Sequence, residues 1–394
     1  MNRKVKASKL GRFHLDTLLL AVCVSLLLFG YVMVASSSIH LGSKMLDNIW
    51  NYPLKQLIHI GLGVVLGSYI ATVPMCNWEK IGPLLFLVGL FLLIIVMVPG
   101  LGVKVNGSTR WLSLGGLRIQ VSEVVKFFAV IYMAGYVTRH QQALRESAFG
   151  LLKPLFLFSI ASVLLLLEPD FGSAVVILII AMGTLFLAGA RLSQFVMLFA
   201  GVGALAALVV IIEPYRMIRV TSFLNPWADP LNTGFQLVQA LISFGRGEVL
   251  GVGLGSGIQK LSYLPEAHTD FLFSVVAEEL GLLGVLTVVG LFSILILRAF
   301  QIGFRAEQAD EPFSAYIAYG LGIWFGFQAF VNMGVNMGML PTKGLTLPLM
   351  SYGGGSMMIM CCAVGLLFRV SSEIAEINAN DIPAPRVKVK AKNG

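Results

Sequence analysis

The sequence predicts an all-α, polytopic integral membrane protein of about ten transmembrane helices. Hydrophobic residues make up 57% of the 394 residues and charged residues only 12%, a balance far from that of a soluble globular protein. Apolar stretches of about 17 to 25 residues recur along the chain, which is the length that a helix needs to cross a hydrocarbon core roughly 30 Å thick. Each stretch is expected to be helical, because a lipid-facing backbone must satisfy its own hydrogen bonds.

The ten predicted spans follow one another with short connections and one long one. Glu168-Pro-Asp170 separates the fifth and sixth spans, so these two are expected to form a tight hairpin. The long connection, residues 213–269, joins the seventh and eighth spans and contains an amphipathic piece from Phe235 to Phe244. The predicted spans are about 14–35, 54–73, 82–99, 121–138, 153–167, 171–189, 194–212, 270–298, 313–338 and 347–370.

The distribution of Lys and Arg predicts the orientation. The segment before the first span carries Arg3, Lys4, Lys6, Lys9 and Arg12, and positive charge concentrates on the cytoplasmic side of a membrane protein. Placing this segment inside also puts most other basic residues of the short connections inside. The sequence therefore predicts a basic cytoplasmic tail (1–13), a ten-helix membrane domain (14–370) with the large loop 213–269 outside, and a polar, disordered cytoplasmic tail (371–394).

The formal net charge of +8 follows from this topology, and both basic tails lie near anionic lipid. The basic residues form no aromatic-interleaved patch, so nucleic-acid binding is not expected. The first span is too long for a cleaved signal peptide and leads into further spans. The four cysteines lack metal-ligand spacing and imply no disulfide framework.

Five ionisable residues are concentrated between Tyr263 and Gly281, where the long loop enters the eighth span. Carboxylates inside an apolar run are costly and usually have a partner or a function. Asp270 is the candidate catalytic residue, although a role as helix N-cap or helix-dipole partner would also explain it. Glu278 lies on roughly the same face two turns later, and pairing with a basic residue such as Lys126 is its structural alternative. The five residues are Glu266, His268, Asp270, Glu278 and Glu279.

A second candidate cluster lies at the outer end of the fourth span. Glu123 and Lys126 are three residues apart, so they share a helix face and can form an ion pair. The preceding outer loop adds Arg110 and Arg118 on the same side of the membrane. Arg and Lys side chains suit phosphate recognition. The cluster is therefore either a structural ion pair or part of a basic, outward-facing cleft for a lipid-linked phosphate.

Two glycine-containing segments also lie outside. Gly251-Val-Gly-Leu-Gly-Ser-Gly257 follows no predicted strand and opens no βαβ unit, so a flexible loop is favoured over dinucleotide binding. Near the last span, turn chemistry explains the Gly and Pro residues between Leu340 and Ser356. It does not explain Lys343 and Ser351 at the membrane surface.

Five segments, in order along nearly all ten spans, resemble the SEDS family of peptidoglycan glycosyltransferases. The finer resemblance is to its division-type branch, with the elongation-type, RodA-like branch as the alternative. Ser351-Tyr-Gly-Gly-Gly-Ser356 departs from the usual family pattern of the last outer turn. The matching segments are Asn106–Leu112, Gln120–Lys126, Glu168–Ser173, Leu264–Phe271 with Ala277–Gly281, and Lys343–Pro348 with Ser351–Gly354.

The resemblance implies polymerisation of lipid II on the outer face of the bacterial inner membrane at the division septum. It assigns the essential aspartate to Asp270 and further functional positions to Arg118, Lys126, Glu213 and Glu278. The implied partners are a class B penicillin-binding protein transpeptidase of the FtsI type and the FtsQ–FtsL–FtsB complex. Together with the residue-based reasoning, the candidate substrate-binding residues are Arg110, Arg118, Glu123, Lys126, Glu213, Glu278, Lys343 and Ser351.

These residue types fit the chemistry. A carboxylate can act as general base for the attacking sugar hydroxyl. A polyprenyl diphosphate leaving group needs cationic stabilisation rather than a general acid. A divalent cation is an alternative source of that charge, and no other cofactor is implied. A lipid II flippase is the competing function, but it needs a polar path from the inner side, whereas the candidate residues lie at the outer ends of spans.

Overall fold

The computed structural model confirms a polytopic helical protein. It describes residues 13–46, 48–105, 108–114, 117–146, 148–212, 214–261, 263–341 and 344–380. Within these ranges nine helices are long and apolar enough to cross a membrane, and the shorter apolar helix Phe171–Leu187 makes the tenth. The ten predicted spans correspond one to one to these helices.

Twelve α-helices, one short 3-10 helix (Pro226–Ala228) and three strands form the regular structure of the described residues. The membrane helices are α1 (Thr17–Leu46), α2 (Asn51–Thr72), α3 (Met75–Met97), α4 (Val121–Glu146), α5 (Ala148–Leu167), α6 (Phe171–Leu187), α7 (Leu192–Ile212), α10 (Leu272–Gln308), α11 (Pro312–Asn336) and α12 (Gly354–Asn380). The long loop contributes α8 (Pro214–Leu224) and α9 (Phe235–Gly247). The amphipathic piece of that loop therefore forms a helix, α9.

The outer loop between α3 and α4 is a small β-sheet, which an all-α prediction does not include. Strands β1 (Gly102–Val105), β2 (Ser108–Leu114) and β3 (Leu117–Gln120) pair antiparallel in sequence order. In the sequence, Asn106-Gly107 and Gly115-Gly116 separate the strands. Asn-Gly and Gly-Gly are typical of two-residue hairpin connections. These dipeptides, between residues of high strand propensity, were the available sequence signal.

The last membrane helix ends later in the chain than predicted. Helix α12 continues to Asn380, so it includes the first ten residues of the predicted disordered tail (371–394). The beginning of this segment packs against the bundle, since Ser372 and Ile374 are both buried. Residues 1–12 and 381–394, and with them most of both predicted tails, lie outside the described residues.

The helices differ widely in how much they bury. Helices α4, α11 and α12 are mostly enclosed by their neighbours, whereas the apolar window of α7 buries none of its residues, 0%. Close helix approach uses glycine, as expected between membrane helices. Side chains of α10 meet Gly322 and Gly326 of α11. These glycines therefore serve packing inside the bundle rather than an open surface for a partner helix.

Candidate active site

Asp270 lies at the end of the long outer loop, directly before α10. Phe271 is the N-cap residue of this helix and makes no side-chain cap hydrogen bond. Asp270 is therefore not the N-cap of α10, but it directly precedes the cap, where its charge can interact with the helix dipole. Its side chain is half-buried. Its backbone carbonyl accepts hydrogen bonds of 2.9 Å from both Asn332 Nδ2 and Asn336 Nδ2.

Three amides on one face of α11 fix the backbone around Asp270. Gln328, Asn332 and Asn336 are spaced four residues apart, so their side chains lie above one another on the helix. Gln328 Nε2 donates to the carbonyl of Thr346 at 2.9 Å, and Asn332 Nδ2 to that of Leu345 at 2.6 Å. The ladder thus ties the loop after α11 and the loop before α10 to the same helix face.

The sequence contains a signal for this ladder, which lies outside the motifs described above. The three amides recur at i, i+4 and i+8 inside an apolar span, and buried polar groups in a membrane need partners. Asn336 is further fixed because Ser274 donates to its Oδ1 from both backbone N and Oγ, at 3.0 and 2.7 Å. The start of α10 is therefore bonded to α11 at Asp270 and again at Ser274.

The last outer loop lies beside Asp270. A Cβ placed on Gly344 would lie 3.0 Å from Asp270 Oδ2, so a larger residue at this position would require the carboxylate to shift slightly. The backbone N of Tyr352 donates to the carbonyl of His268 at 3.0 Å. Ser351 is buried, and its Oγ accepts the backbone N of Leu347 at 2.9 Å. The structure thus uses the Ser351 hydroxyl to hold the turn.

Glu123 and Lys126 form the ion pair that their spacing predicts. The Lys126 side chain is fully buried, and its Nζ lies 2.7 Å from Glu123 Oε1. Nζ also donates to Gln328 Oε1 at 3.0 Å and lies 5.6 Å from the ring centroid of Trp324. Gln328 therefore links Lys126 to the amide ladder. Breaking such a pair by removing one partner would leave an uncompensated buried charge.

Glu278 and Glu279 bind the glycine-rich segment of the long loop. Glu278 Oε1 accepts from Arg246 Nη1 at 3.1 Å and from the backbone N of Ile258 at 2.8 Å. Glu279 accepts from Lys260 Nζ at 2.5 Å and from the backbone N of Gly255 at 3.0 Å. Both carboxylates are fully buried. We call Arg246, Lys260, Glu278 and Glu279 the loop anchor.

The loop anchor corrects two expectations. The basic partner of Glu278 is Arg246 rather than Lys126. The glycine segment is held in place rather than flexible. The backbone N of Gly255 donates to the Glu279 carboxylate, and those of Val252 and Gly253 donate to the backbone carbonyls of Glu278 and Glu279. Gly281 makes this possible, because its φ of 62° breaks α10 and lets the backbone N of Leu282 donate to the carbonyl of Glu248 at 3.0 Å. Only glycine adopts that conformation readily.

Arg110 holds the turn between α5 and α6. Its Nε donates to the carbonyl of Glu168 at 3.1 Å, and its Nη2 to that of Pro169 at 2.5 Å. The Glu168 carboxyl is almost fully buried, and neither of its oxygens has a hydrogen-bond partner among the described residues. Burial, with a smaller contribution from Asp170, raises the pKa of Glu168 to about 8, although Arg110 acts in the opposite direction.

Arg118 lies on β3, and its side chain is exposed. It is close enough to the last outer loop to act on Tyr352. Burial and the neighbouring Tyr52 hydroxyl raise the pKa of Tyr352, while the positive charge of Arg118 opposes that rise. The tight approach of β3 to α12 explains the proximity, since a Cβ on Gly355 would lie 2.8 Å from the backbone N of Gln120.

Three of the four predicted basic residues therefore have different surroundings. Arg118 is exposed near Tyr352, Arg110 binds backbone carbonyls of the α5–α6 turn, and Lys126 is buried with Glu123. Glu213 and Lys343 lie outside the described residues. Among the residues that are described, no group of three or more His, Cys, Asp and Glu side chains is arranged to hold a metal ion.

Comparison with known proteins decides the family. The model of the family described as "cell cycle protein", which covers FtsW, RodA and SpoVE, matches residues 16–376. The chain belongs to this family. The expected resemblance to SEDS proteins is confirmed.

Relatives and solved structures agree with this assignment. The chain is 65% identical to a probable peptidoglycan glycosyltransferase FtsW of Methylomonas methanica, over 94% of this chain and 96% of the relative. It is 58% identical to the protein of the same name from Methylococcus capsulatus, over 92% and 91%.

Two solved folds are similar. A chain from a structure of a peptidoglycan synthase complex that coordinates polymerization and crosslinking gives a TM-score of 0.74 at 29% identity, over 91% of this chain and 98% of that chain. The rod shape determining protein RodA of Thermus thermophilus gives 0.67 at 26% identity, over 91% and 97%.

Proposed function

We propose that this chain is a peptidoglycan glycosyltransferase that polymerises lipid II on the outer face of the bacterial inner membrane, with Asp270 as its general base. The observation that carries the proposal is the placement of Asp270. Two amides of α11 fix its backbone, its side chain is only half-buried, and Gly344 leaves space beside its carboxylate.

The proposed reaction requires a general base and fixed positive charge. The Asp270 carboxylate takes the proton of the acceptor hydroxyl as that oxygen attacks the anomeric carbon of the donor sugar. The bond between the anomeric carbon and the donor phosphate oxygen breaks, and polyprenyl diphosphate leaves with the electron pair. No general acid is required because diphosphate is already a good leaving group, so the contribution of the protein is fixed positive charge.

Arg118 is the cation best placed to meet the diphosphate directly, because it is exposed beside the last outer loop. Lys126 and Glu123 support the site from within the bundle, since Gln328 joins Lys126 to the carbonyl of Thr346. Glu278 supports it through the loop anchor. Arg110 and Ser351 hold turns at the same end, and we retain Glu213 and Lys343 as substrate-binding candidates.

The biological setting is part of the proposal. Similarity to proteins named FtsW supports a role in septal wall synthesis at the division site of the inner membrane. A fold shared with a chain of a synthase complex that coordinates polymerization and crosslinking supports a partner that crosslinks in trans. We expect a class B penicillin-binding protein of the FtsI type, activated by an FtsQ–FtsL–FtsB complex.

The test is polymerisation of labelled lipid II by the purified chain, with and without the transpeptidase partner. Glycan strands whose yield rises with the partner are the expected result. A parallel assay should follow transbilayer movement of lipid II in vesicles. Transport without polymer, under conditions in which the partner is bound, would reject the enzyme and favour a flippase.

A further inference from the structure

Four rings from three separate segments contact one another, and one of them, His268, lies two residues before Asp270. We call Tyr52, His59, His268 and Tyr352 the rim cluster. The ring centroid of Tyr52 lies 5.2 Å from that of His268 and 5.5 Å from that of Tyr352. Tyr352 lies 5.4 Å from His268 and 6.2 Å from His59. The cluster therefore connects α2, the loop that carries Asp270 and the last outer loop.

The cluster differs from an ordinary aromatic core in two ways. All four side chains are only half-buried, whereas the stacked Phe86 and Phe158 elsewhere in the bundle are fully buried. The Nδ1 atoms of His59 and His268 are enclosed and have no hydrogen-bond partner among the described residues. A buried polar atom without a partner is uncommon in a native structure and points to a missing water or ligand.

The position of the rim cluster indicates the chemical class of ligand that it can bind. His268 precedes Asp270 by two residues, Arg118 acts on Tyr352, and a Cβ on Gly354 would lie 2.8 Å from His59 Nε2. Binding sites of this kind combine aromatic surfaces with a few convergent polar groups. A pyranose ring presents an apolar C–H face and hydroxyls at its edge. Aromatic faces with unpaired ring nitrogens match both of these features.

We propose that the rim cluster is a saccharide platform, on which Tyr52, His268 and Tyr352 contact a sugar of the lipid-linked substrate next to Asp270. This inference rests on the proposed function and extends it, because it assigns recognition of the sugar to residues separate from those assigned to the diphosphate. Burial lowers the pKa of His268, with Glu266 opposing the shift. A neutral imidazole at neutral pH keeps both an apolar face and a nitrogen that can accept a hydrogen bond from a sugar hydroxyl.

The experiment measures binding of three related lipids to the purified full-length chain. The first is undecaprenyl diphosphate, the second carries the disaccharide without its peptide, and the third is complete lipid II. All three share the tail and the diphosphate, so differences between them isolate the saccharide and the peptide. The variants are Tyr52→Leu, Tyr352→Leu and the conservative Tyr52→Phe. Tyr263→Leu is the matched control, because Tyr263 is an exposed tyrosine in the same outer loop.

Tyr52→Leu is expected to weaken binding of both saccharide-bearing lipids about tenfold, which is the effect of losing one aromatic contact. Binding of undecaprenyl diphosphate should change less than twofold, and Tyr52→Phe and Tyr263→Leu should bind all three lipids as the unmodified chain does. If Tyr52→Leu does not fold, Tyr352→Leu gives the same comparison.

Equal weakening for all three lipids, or weakening only where the peptide is present, would overturn the platform. So would unchanged binding of the disaccharide lipid. The outcome is separate from that of the proposed function, because saccharide-selective binding by a chain that makes no polymer would reject the enzyme and leave the platform standing.

Discussion

Two charged regions at the outer end of the bundle show opposite treatment of carboxylates. In the loop anchor, Glu278 and Glu279 are fully buried and accept hydrogen bonds from backbone amides and from Arg246 and Lys260. Asp270 is half-buried, and the protein fixes its backbone carbonyl by two amides of α11. The first region encloses its carboxylates completely, whereas the second leaves its carboxylate half-buried at the outer end of the bundle.

Acidic residues next to an apolar span can therefore differ in how they are buried and in what they bind. The two regions have similar amino-acid compositions, since each places acidic residues next to a long hydrophobic run. Their partners distinguish them. Satisfying every oxygen of Glu278 and Glu279 leaves little reactivity but joins α1, α9 and α10 to the loop, because Ser36 also donates to Glu279 at 2.8 Å.

The largest effect is expected for Glu279→Ala. The change leaves Lys260 buried without its carboxylate, and loss of one member of a buried pair costs about 3–5 kcal/mol. The measurement is the free energy of unfolding in detergent. Arg369→Met is the control, because its pair with Glu373 is partly exposed, and it should cost less than about 1 kcal/mol. A loss for Glu279→Ala no larger than the control would show that the loop anchor is not structural.

A pH effect is expected at Glu168. Its folded-state pKa of about 8 lies above the ordinary value of 4.5, so the folded protein binds the proton more tightly. The resulting stability is fully present below pH 4.5 and is lost as the pH rises towards 8. Each unit of difference between the folded-state and unfolded-state pKa corresponds to about 1.4 kcal/mol, so a difference of only two units already contributes about 3 kcal/mol to stability. Thermal stability should fall over this range and stay flat in Glu168→Gln. An equal pH dependence in both proteins would contradict the raised pKa.

A smaller effect is expected for Lys126→Met. Glu123 would then be left buried, so a loss of stability of about 2 kcal/mol is expected, and Glu123→Gln in the same chain should restore part of it. Polymerisation per folded molecule should also fall, because Lys126 binds Gln328 and Gln328 holds the carbonyl of Thr346. If activity falls only in proportion to the amount of folded protein, the pair is structural and Lys126 has no part in the site.

Much of this architecture is predictable because its causes are local. Span lengths follow from the hydrocarbon thickness, the Glu123–Lys126 pair from helical spacing, and the prominence of Asp270 from its place at the end of a charged loop. The β-sheet between α3 and α4 was also predictable from the sequence, because Asn106-Gly107 and Gly115-Gly116 are typical hairpin dipeptides.

The rest depends on contacts between segments that are distant in sequence. Nothing near Glu278 indicates that Arg246, rather than Lys126, is its partner, since the choice depends on how α9 returns to α10. The same holds for the rim cluster, which joins Tyr52 to residues more than two hundred positions away. The exposure of Arg118 and the burial of Lys126 likewise follow from the packed bundle and not from their shared side of the membrane.

The most direct test of the central claim is the rate of lipid II polymerisation by Asp270→Asn with the transpeptidase partner present. Asparagine keeps the shape of the side chain, and the carbonyl contacts of Asn332 and Asn336 do not depend on the carboxylate. The variant should therefore fold, insert and bind its partner normally, while losing at least about a hundredfold in rate, as expected for removal of a general base. Polymerisation close to the rate of the unmodified chain would contradict the account.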